Sequence, residues 1–303
     1  LGKQNNFTIF LDVGKKLIPE IMKRNALIFF GTLFSQLLFA QSNEIRLIVR
    51  ADDIGFSQAC NEAIAMSYTQ GIVTSVEVLA PSPWFPEAVR LLNEFPNVDV
   101  GVHLTLTSEW DNMKWRPLTK CKSATDSNGF FLPMVFPNAN YPGMSVSEQS
   151  WSLPEIEDEF RAQIEMVKRN IPRVSHISGH MGCTDLSPEV RGMVNRLAKE
   201  YAIIFDLHQY NIQGFGLKKP SATGKEKTKR FIEELNRFEP GKTYLFVEHP
   251  GFDTPELRSL YHIGYEDVAI DRQGVTDLFT NKIVKKEIEK RGIKLIGYND
   301  LIK

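Results

Sequence analysis

Seven short apolar runs, rich in Ile, Val and Leu, recur between residues 45 and 297, and segments of helical periodicity lie between them. That alternation restricts the fold more than any other feature. Strands that read as continuous apolar runs are covered on both faces, and helices are what cover them in a parallel α/β arrangement. The runs are 45–51, 73–80, 98–106, 173–178, 202–206, 243–248 and 293–297. Residues 153–171 place Leu153, Ile156, Phe160, Ile164, Val167 and Ile171 at steps of three or four, one apolar face of a helix. Residues 188–201 and 275–291 read the same way, with Gly292 ending the second. Ser57 is a natural N-cap for a helix running to Gln70 before Gly71. The pattern predicts an α/β fold, a single distorted (β/α) barrel of about seven parallel strands. Two connections are too long for simple links, 107–152 and 209–228. The first is rich in aromatic residues, which argues for an ordered, functional loop.

The chain has 303 residues and a formal net charge of -1. That length suffices for one large domain, and neither a basic excess nor an acidic tail points to nucleic acid or a basic partner. Cys60, Cys121 and Cys183 form no CxxC pair, so a thiolate zinc site is not expected and buried free thiols are. Near the start, Met22-Lys23-Arg24 precedes an apolar stretch over 26–40 and a polar Gln41. A short basic segment followed by an apolar stretch too short to span a bilayer reads as a secretory signal peptide. On this reading Met22 initiates, 1–21 is upstream translated sequence, 22–40 is the signal peptide, and 41–303 is the domain. The mature protein is then exported, periplasmic or secreted, with no membrane attachment after cleavage.

Four of the runs end in chemistry-bearing residues. The first ends in Asp52-Asp53, and three others reach His103, His180 and His249. Residues at the carboxyl ends of parallel strands share one face, where α/β proteins carry their sites. Two adjacent buried carboxylates repel, and a cation relieves that cost. Asp53, His103 and His180 are therefore the candidate metal ligands: one carboxylate and two imidazoles suit Zn²⁺ or another divalent ion and leave positions open. Asp52, beside such an ion, is placed to act as general base. His249 lies in Glu248-His249-Pro250-Gly251, whose Pro-Gly enforces an abrupt turn, and could serve as general acid. His176 reads as a core residue or a support for the ligands, His208 as a weaker site candidate, and His262 as surface. Trp84, Phe85, Trp110, Trp115 and Trp151 form an aromatic cluster; Trp84, Trp110 and Trp115 are candidate sugar-stacking residues, although large aromatics more often pack a loop onto its domain.

In order along the chain stand R-A-D-D-I-G-F-S (50–57), G-I-V-T-S (71–75), G-V-H-L-T-L-T (101–107), H-I-S-G-H (176–180) and E-H-P-G (248–251). This set resembles the YdjC-like carbohydrate deacetylases, relatives of the wider polysaccharide deacetylases, from about Ile45 to the C-terminus. The resemblance implies a distorted barrel that removes N-acetyl groups from amino sugars in oligosaccharides or polysaccharides with one divalent ion, Zn, Mg or Co. It implies Asp53, His103 and His180 as ligands, Asp52 as base and His249 as acid. One departure stands out: the family commonly carries Asp where this chain has Ser178, and His where it has Gly182. A carboxylate supporting the ligands and a substrate-contacting His are then expected to be missing, with an altered substrate or weaker activity. Two rivals remain: a metal-dependent phosphoesterase, which would need ligands for two ions, and a carbohydrate-binding protein on an enzyme scaffold.

Overall fold

A computed structural model describes residues 43–205, 207–217 and 223–302. The segments 1–21 and 22–40 lie outside the described residues. Among the described residues seven strands make one sheet: β1 (Arg46–Ile54), β2 (Ser75–Val78), β3 (Asp99–Leu104), β4 (His176–Gly179), β5 (Ile212–Phe215), β6 (Thr243–Glu248) and β7 (Lys294–Leu295). Every pairing is parallel, in the order β4-β3-β2-β1-β6-β5. β7 pairs with β1 on the edge that β2 uses, because the Ile45, Leu47 and Val49 carbonyls accept from Lys294, Ile296 and Thr74 in turn. The helices are α1 (Gln58–Thr69), α2 (Phe85–Glu94), α3 (Leu153–Asn170), α4 (Pro188–Glu200), α5 (Gly224–Leu235), the single turn α6 (Pro255–Arg258), α7 (Val268–Phe279) and α8 (Lys282–Lys290). The fold is the expected α/β one, a parallel sheet curled into a distorted, open barrel.

Strand periodicity sorts the interior. Leu47, Val49 and Ala51 of β1 join the large apolar core, which includes Ile64 of α1 and Ile164 of α3. Ile48, between them, joins Ile204, Ile296 and Tyr298 in a separate small cluster. The next residues of that inner row are Arg50 and Asp52. The inner face is thus apolar at the amino ends of the strands and polar at their carboxyl ends.

Of the run 202–206, the described residues 202–205 do not form a strand. Ala202 takes a left-handed φ of 53°. Ile204 alone makes a bridge, exchanging hydrogen bonds of 2.8 Å with Ile177 N and Ser175 O at the edge of β4. β5 forms instead within 212–215, inside the stretch read as an insertion, on the free edge of β6. With one edge taken at Ile204 and the other by β5, the barrel stays open. The helix expected over 275–291 is two helices. Thr280 closes the first and Asn281 caps the second, its side chain accepting from Ile283 N at 2.8 Å. The first begins earlier, at Val268, and so brings Arg272 to the carboxyl end of the sheet.

The long connection is ordered by a buried polar clamp on α3. Glu159, with no exposed surface, accepts from Leu118 N, Thr119 N and Thr119 Oγ1 at 2.7–3.1 Å. Gln163 bonds both backbone groups of Thr105 at 2.9 Å and donates to Glu159 at 2.8 Å. Glu159→Ala leaves these donors without their acceptor, at about 1–3 kcal/mol. Thermal melts should show a lowered Tm, and limited proteolysis should cut first within 107–152.

Candidate metal centre and its cavity

The carboxyl ends of β1, β3, β4 and β6 deliver Asp52, Asp53, His103, His180 and His249 to one cavity of about 320 Å³. Adjacent strand residues ordinarily point to opposite faces. Asp52 and Asp53 escape this rule because the β1–β2 register shifts between Ala51 and Ile54 and Asp53 takes a left-handed φ of 72°. Asp tolerates that conformation better than most residues. Gly55 follows at φ 104°, and its missing Cβ leaves room for Ser82 and the Leu79 carbonyl. Ser57 then caps α1, accepting from Cys60 N at 3.1 Å.

Three buried atoms form a near-equilateral triangle. His180 Nδ1 lies 3.2 Å from Asp53 Oδ1 and 3.3 Å from His103 Nε2, and His103 Nε2 lies 3.6 Å from Asp53 Oδ1. Ligand atoms of a tetrahedral site with bonds of about 2.0–2.1 Å stand about 3.3–3.4 Å apart. Asp53 Oδ1 is buried and accepts no hydrogen bond, a costly state for a carboxylate oxygen without a cation. The donor set and its spacing fit a divalent ion, and this is the one such group among the described residues.

Each member of the triangle is held from behind. Arg272 donates to Asp53 Oδ2 at 2.9 Å and leaves Oδ1 facing the triangle. His180 Nε2 meets Glu109 Oε2 at 3.1 Å, so its Nδ1 faces inward. His103 Nδ1 meets Ser178 Oγ at 2.7 Å, and Ser178 donates to Glu77 Oε2 at 2.5 Å. The expectation that Ser178 leaves the site without a supporting carboxylate is therefore corrected: Glu77, on the neighbouring β2, supplies one. His176 is buried and bonded to Glu77, a support as its place inside the strand suggested.

Asp52 and His249 reach the triangle from different corners. Asp52 Oδ2 is 3.7 Å from His103 Nε2, and His249 Nε2 is 3.9 Å from Asp53 Oδ2. Arg50 grips Asp52 with two bonds, 2.8 Å from Nε and 3.0 Å from a terminal nitrogen. Burial pushes the Asp52 carboxyl above its ordinary range, against the opposing pull of Arg50 and His249. Burial acts on Asp53 in the same sense, but His180, His249 and Arg272 outweigh it and hold that carboxyl well below the ordinary range. The neighbours thus divide one acidic pair into a fixed anion and a weaker acid. His103 is held down to about 3 by burial and by His180. The His249 side chain is 39% exposed at the cavity mouth. Its turn is anchored where Gly251 N meets Arg272 O at 3.1 Å and Thr276 Oγ1 at 3.0 Å.

The aromatic candidates separate. Trp110 lines the cavity, stacked on Phe56 with centroids 4.7 Å apart. Trp115 is buried edge-on to Phe56, and Trp84 precedes α2, its backbone bonded to Gly55 and Asn61, so both sit outside the cavity lining and fasten loops. His208 lines a different cavity, beside Arg50 and Ser178. His262, read as surface, lines the cavity of the Asp53–His103–His180 triangle, its ring centroid 5.6 Å from that of Trp110. Glu109, Tyr265 and Arg272 also escaped the sequence reading. They lie on a loop or a shifted helix and carry no motif. Glu77 did leave a signal, a lone acid inside the apolar run 73–80. The three cysteines are buried and free, as expected.

A Listeria innocua protein named carbohydrate deacetylase 2 is 30% identical over 175 residues, 56% of this chain and 63% of its own length, so the match spans under two thirds of that relative. Carbohydrate deacetylase 1 of the same organism is 26% identical over 268 residues, covering 85% of this chain and 100% of the relative. A crystal structure of a candidate cellobiose-phosphate cleavage protein of Enterococcus faecalis V583 shares the fold, with a TM-score of 0.68 and 24% identity over 85% of this chain and 99% of that one. The sequence model of the family described as YdjC-like protein matches residues 46–290, and the chain belongs to that family.

Proposed function

We propose that this chain is a metal-dependent carbohydrate deacetylase that hydrolyses N-acetyl groups on amino-sugar-containing glycans. The observation that carries the reading is the buried Asp53–His103–His180 triangle with an orphaned Asp53 oxygen, flanked by Asp52 and His249 in one cavity. The names of the Listeria relatives support the substrate class. Asp53, His103 and His180 would hold one divalent ion, whose contribution when bound is Lewis-acid polarisation of the acetamide carbonyl and acidification of water. Asp52 takes the proton of the attacking water. His249 gives a proton to the departing amine, which leaves poorly as an anion. Arg50 keeps the base aimed, and Arg272 keeps Asp53 ionised. His262 and Tyr265, partly exposed at the cavity, offer flat faces for a sugar ring, and the buried Trp110 backs them. Export to the periplasm or exterior is part of the proposal, and N-terminal sequencing of exported protein should begin near Gln41.

Acetate release from a panel of N-acetylated oligosaccharides tests this reading. Activity should vanish with chelator and return with Zn²⁺ or Co²⁺ at one ion per chain. Two ions per chain with phosphate release would favour the phosphoesterase, and glycan binding without turnover would favour the binding protein. Among the described residues one ligand group is present, which favours the single-ion reading.

A further inference from the structure

Ser178 stands where the family resemblance leads one to expect a carboxylate, yet the carboxylate has not left the molecule. Glu77 projects from β2 with no exposed surface. One of its oxygens meets His176 Nε2, and the other accepts from Ser178 Oγ at 2.5 Å. Ser178 Oγ in turn lies 2.7 Å from His103 Nδ1. The space for this arrangement comes from Gly101 on β3, since a Cβ there would collide with the Glu77 carboxylate and the His176 ring. Strand register makes the chain of contacts possible. Glu77 pairs with Gly101 across β2–β3, and Gly101 pairs with His176 across β3–β4. His103 pairs with Ser178 two residues further along, on the same face.

The hydrogen inventory gives this chain of contacts a direction. A carboxylate only accepts, and a hydroxyl has one proton. The Ser178 proton goes to Glu77, so Ser178 Oγ offers lone pairs alone to His103. His103 must then carry its proton on Nδ1, and its Nε2 lone pair faces Asp53 Oδ1 and His180 Nδ1. His180 is oriented by Glu109 directly; His103 is oriented by Glu77 through a hydroxyl.

We infer that Ser178 and Glu77 are positioning residues that lock His103 in its Nδ1–H tautomer and so set the affinity of the Asp53–His103–His180 site for its metal. The inference rests on the reading of that triangle as a metal site. Outer partners of ligating histidines typically change affinity by about 10–100-fold when removed. The relay predicts that figure for Ser178→Ala and for Glu77→Gln. It also predicts recovery when the charge is moved rather than deleted: the double variant Ser178→Asp with Glu77→Gln supplies a carboxylate directly at His103 and should bind metal within a few-fold of the parent. A merely structural role would not be rescued by that exchange.

Two measurements test the relay separately from catalysis. In metal-free parent protein, ¹⁵N-imidazole NMR should show His103 protonated on Nδ1, and Ser178→Ala should mix or reverse the tautomer. Chelator competition with Zn²⁺ should show the loss in both single variants and its recovery in the double variant. An Nε2–H tautomer in the parent overturns the relay, as does unchanged Zn²⁺ affinity in Ser178→Ala. If the parent shows the Nδ1–H tautomer but binds no Zn²⁺, the metal reading fails while the relay stands. If Ser178→Ala does not fold, the parent tautomer still decides.

Discussion

Asp53→Asn should abolish stoichiometric metal binding and reduce deacetylation to background. Asp53 Oδ1 is the one anionic corner of the triangle. An amide there removes the charge that makes a buried cation tolerable and replaces a strong ligand with a weak one. Asn still tolerates a left-handed φ, so the backbone at 53 should hold. Asp53→Ala should be worse in a separable way. It forfeits that tolerance and leaves Arg272, 3% exposed, without even the neutral acceptor oxygen that Asn would keep. Removing one partner of a buried pair typically costs about 3–5 kcal/mol. Metal titration should therefore read the same loss in both variants, and denaturant unfolding should separate them. His103→Ala should lose metal and activity together. A variant at 53 or 103 with full metal content and full turnover would overturn the assignment of the triangle.

Asp52→Asn should keep the metal and lose turnover by on the order of 10²–10⁴, the usual contribution of one acid–base group. Asp52 lies 3.7 Å from His103 and is not one of the three triangle atoms, so affinity should hold while kcat falls. His249→Ala should cost a similar factor on acetamides and much less on activated acetyl esters, whose leaving groups depart without a proton. Equal losses on both substrates would remove His249 from the acid role. The pH profile gives a further sign. As the proposed base Asp52 must act as a carboxylate, so activity should fall as pH drops through its pKa. Arg50 pulls that pKa down, against burial. Arg50→Gln removes the pull, so the acid limb of kcat/KM should move to higher pH. A limb that stays put or moves lower would mean that Asp52 is not the base.

The candidate site was legible because parallel strands place their carboxyl ends together. Asp52, Asp53, His103, His180 and His249 each end an apolar run, and all five line one cavity. The residues that hold them were not legible in the same way. Arg272 became visible only once Asn281 divided the last helical stretch and the preceding helix began at Val268. Glu109 belongs to a loop whose path is set by the Glu159–Gln163 clamp. Trp84, Trp110 and Trp115 read alike in sequence, but only the course of that loop put Trp110 in the cavity. Of the strand placed at 202–206, the described residues keep a single bridge, Ile204 on the outer edge of β4, two residues after the left-handed turn at Ala202.

What the sequence determined by itself was the part of the protein governed by local periodicity and chain order: the alternating elements, their parallel sense, and the acids and histidines carried to one end. What the tertiary structure decided was the part governed by proximity between distant residues. A left-handed turn at Asp53 put two adjacent carboxylates on one side, which no alternation rule foretells. The carboxylate missing at Ser178 reappeared at Glu77, about a hundred residues earlier in the chain and one hydrogen bond away in space. A sequence motif records which side chain stands at a position. The electrostatic demand of a buried imidazole is met by whichever strand can deliver a charge to it, and only the packed sheet shows which strand does.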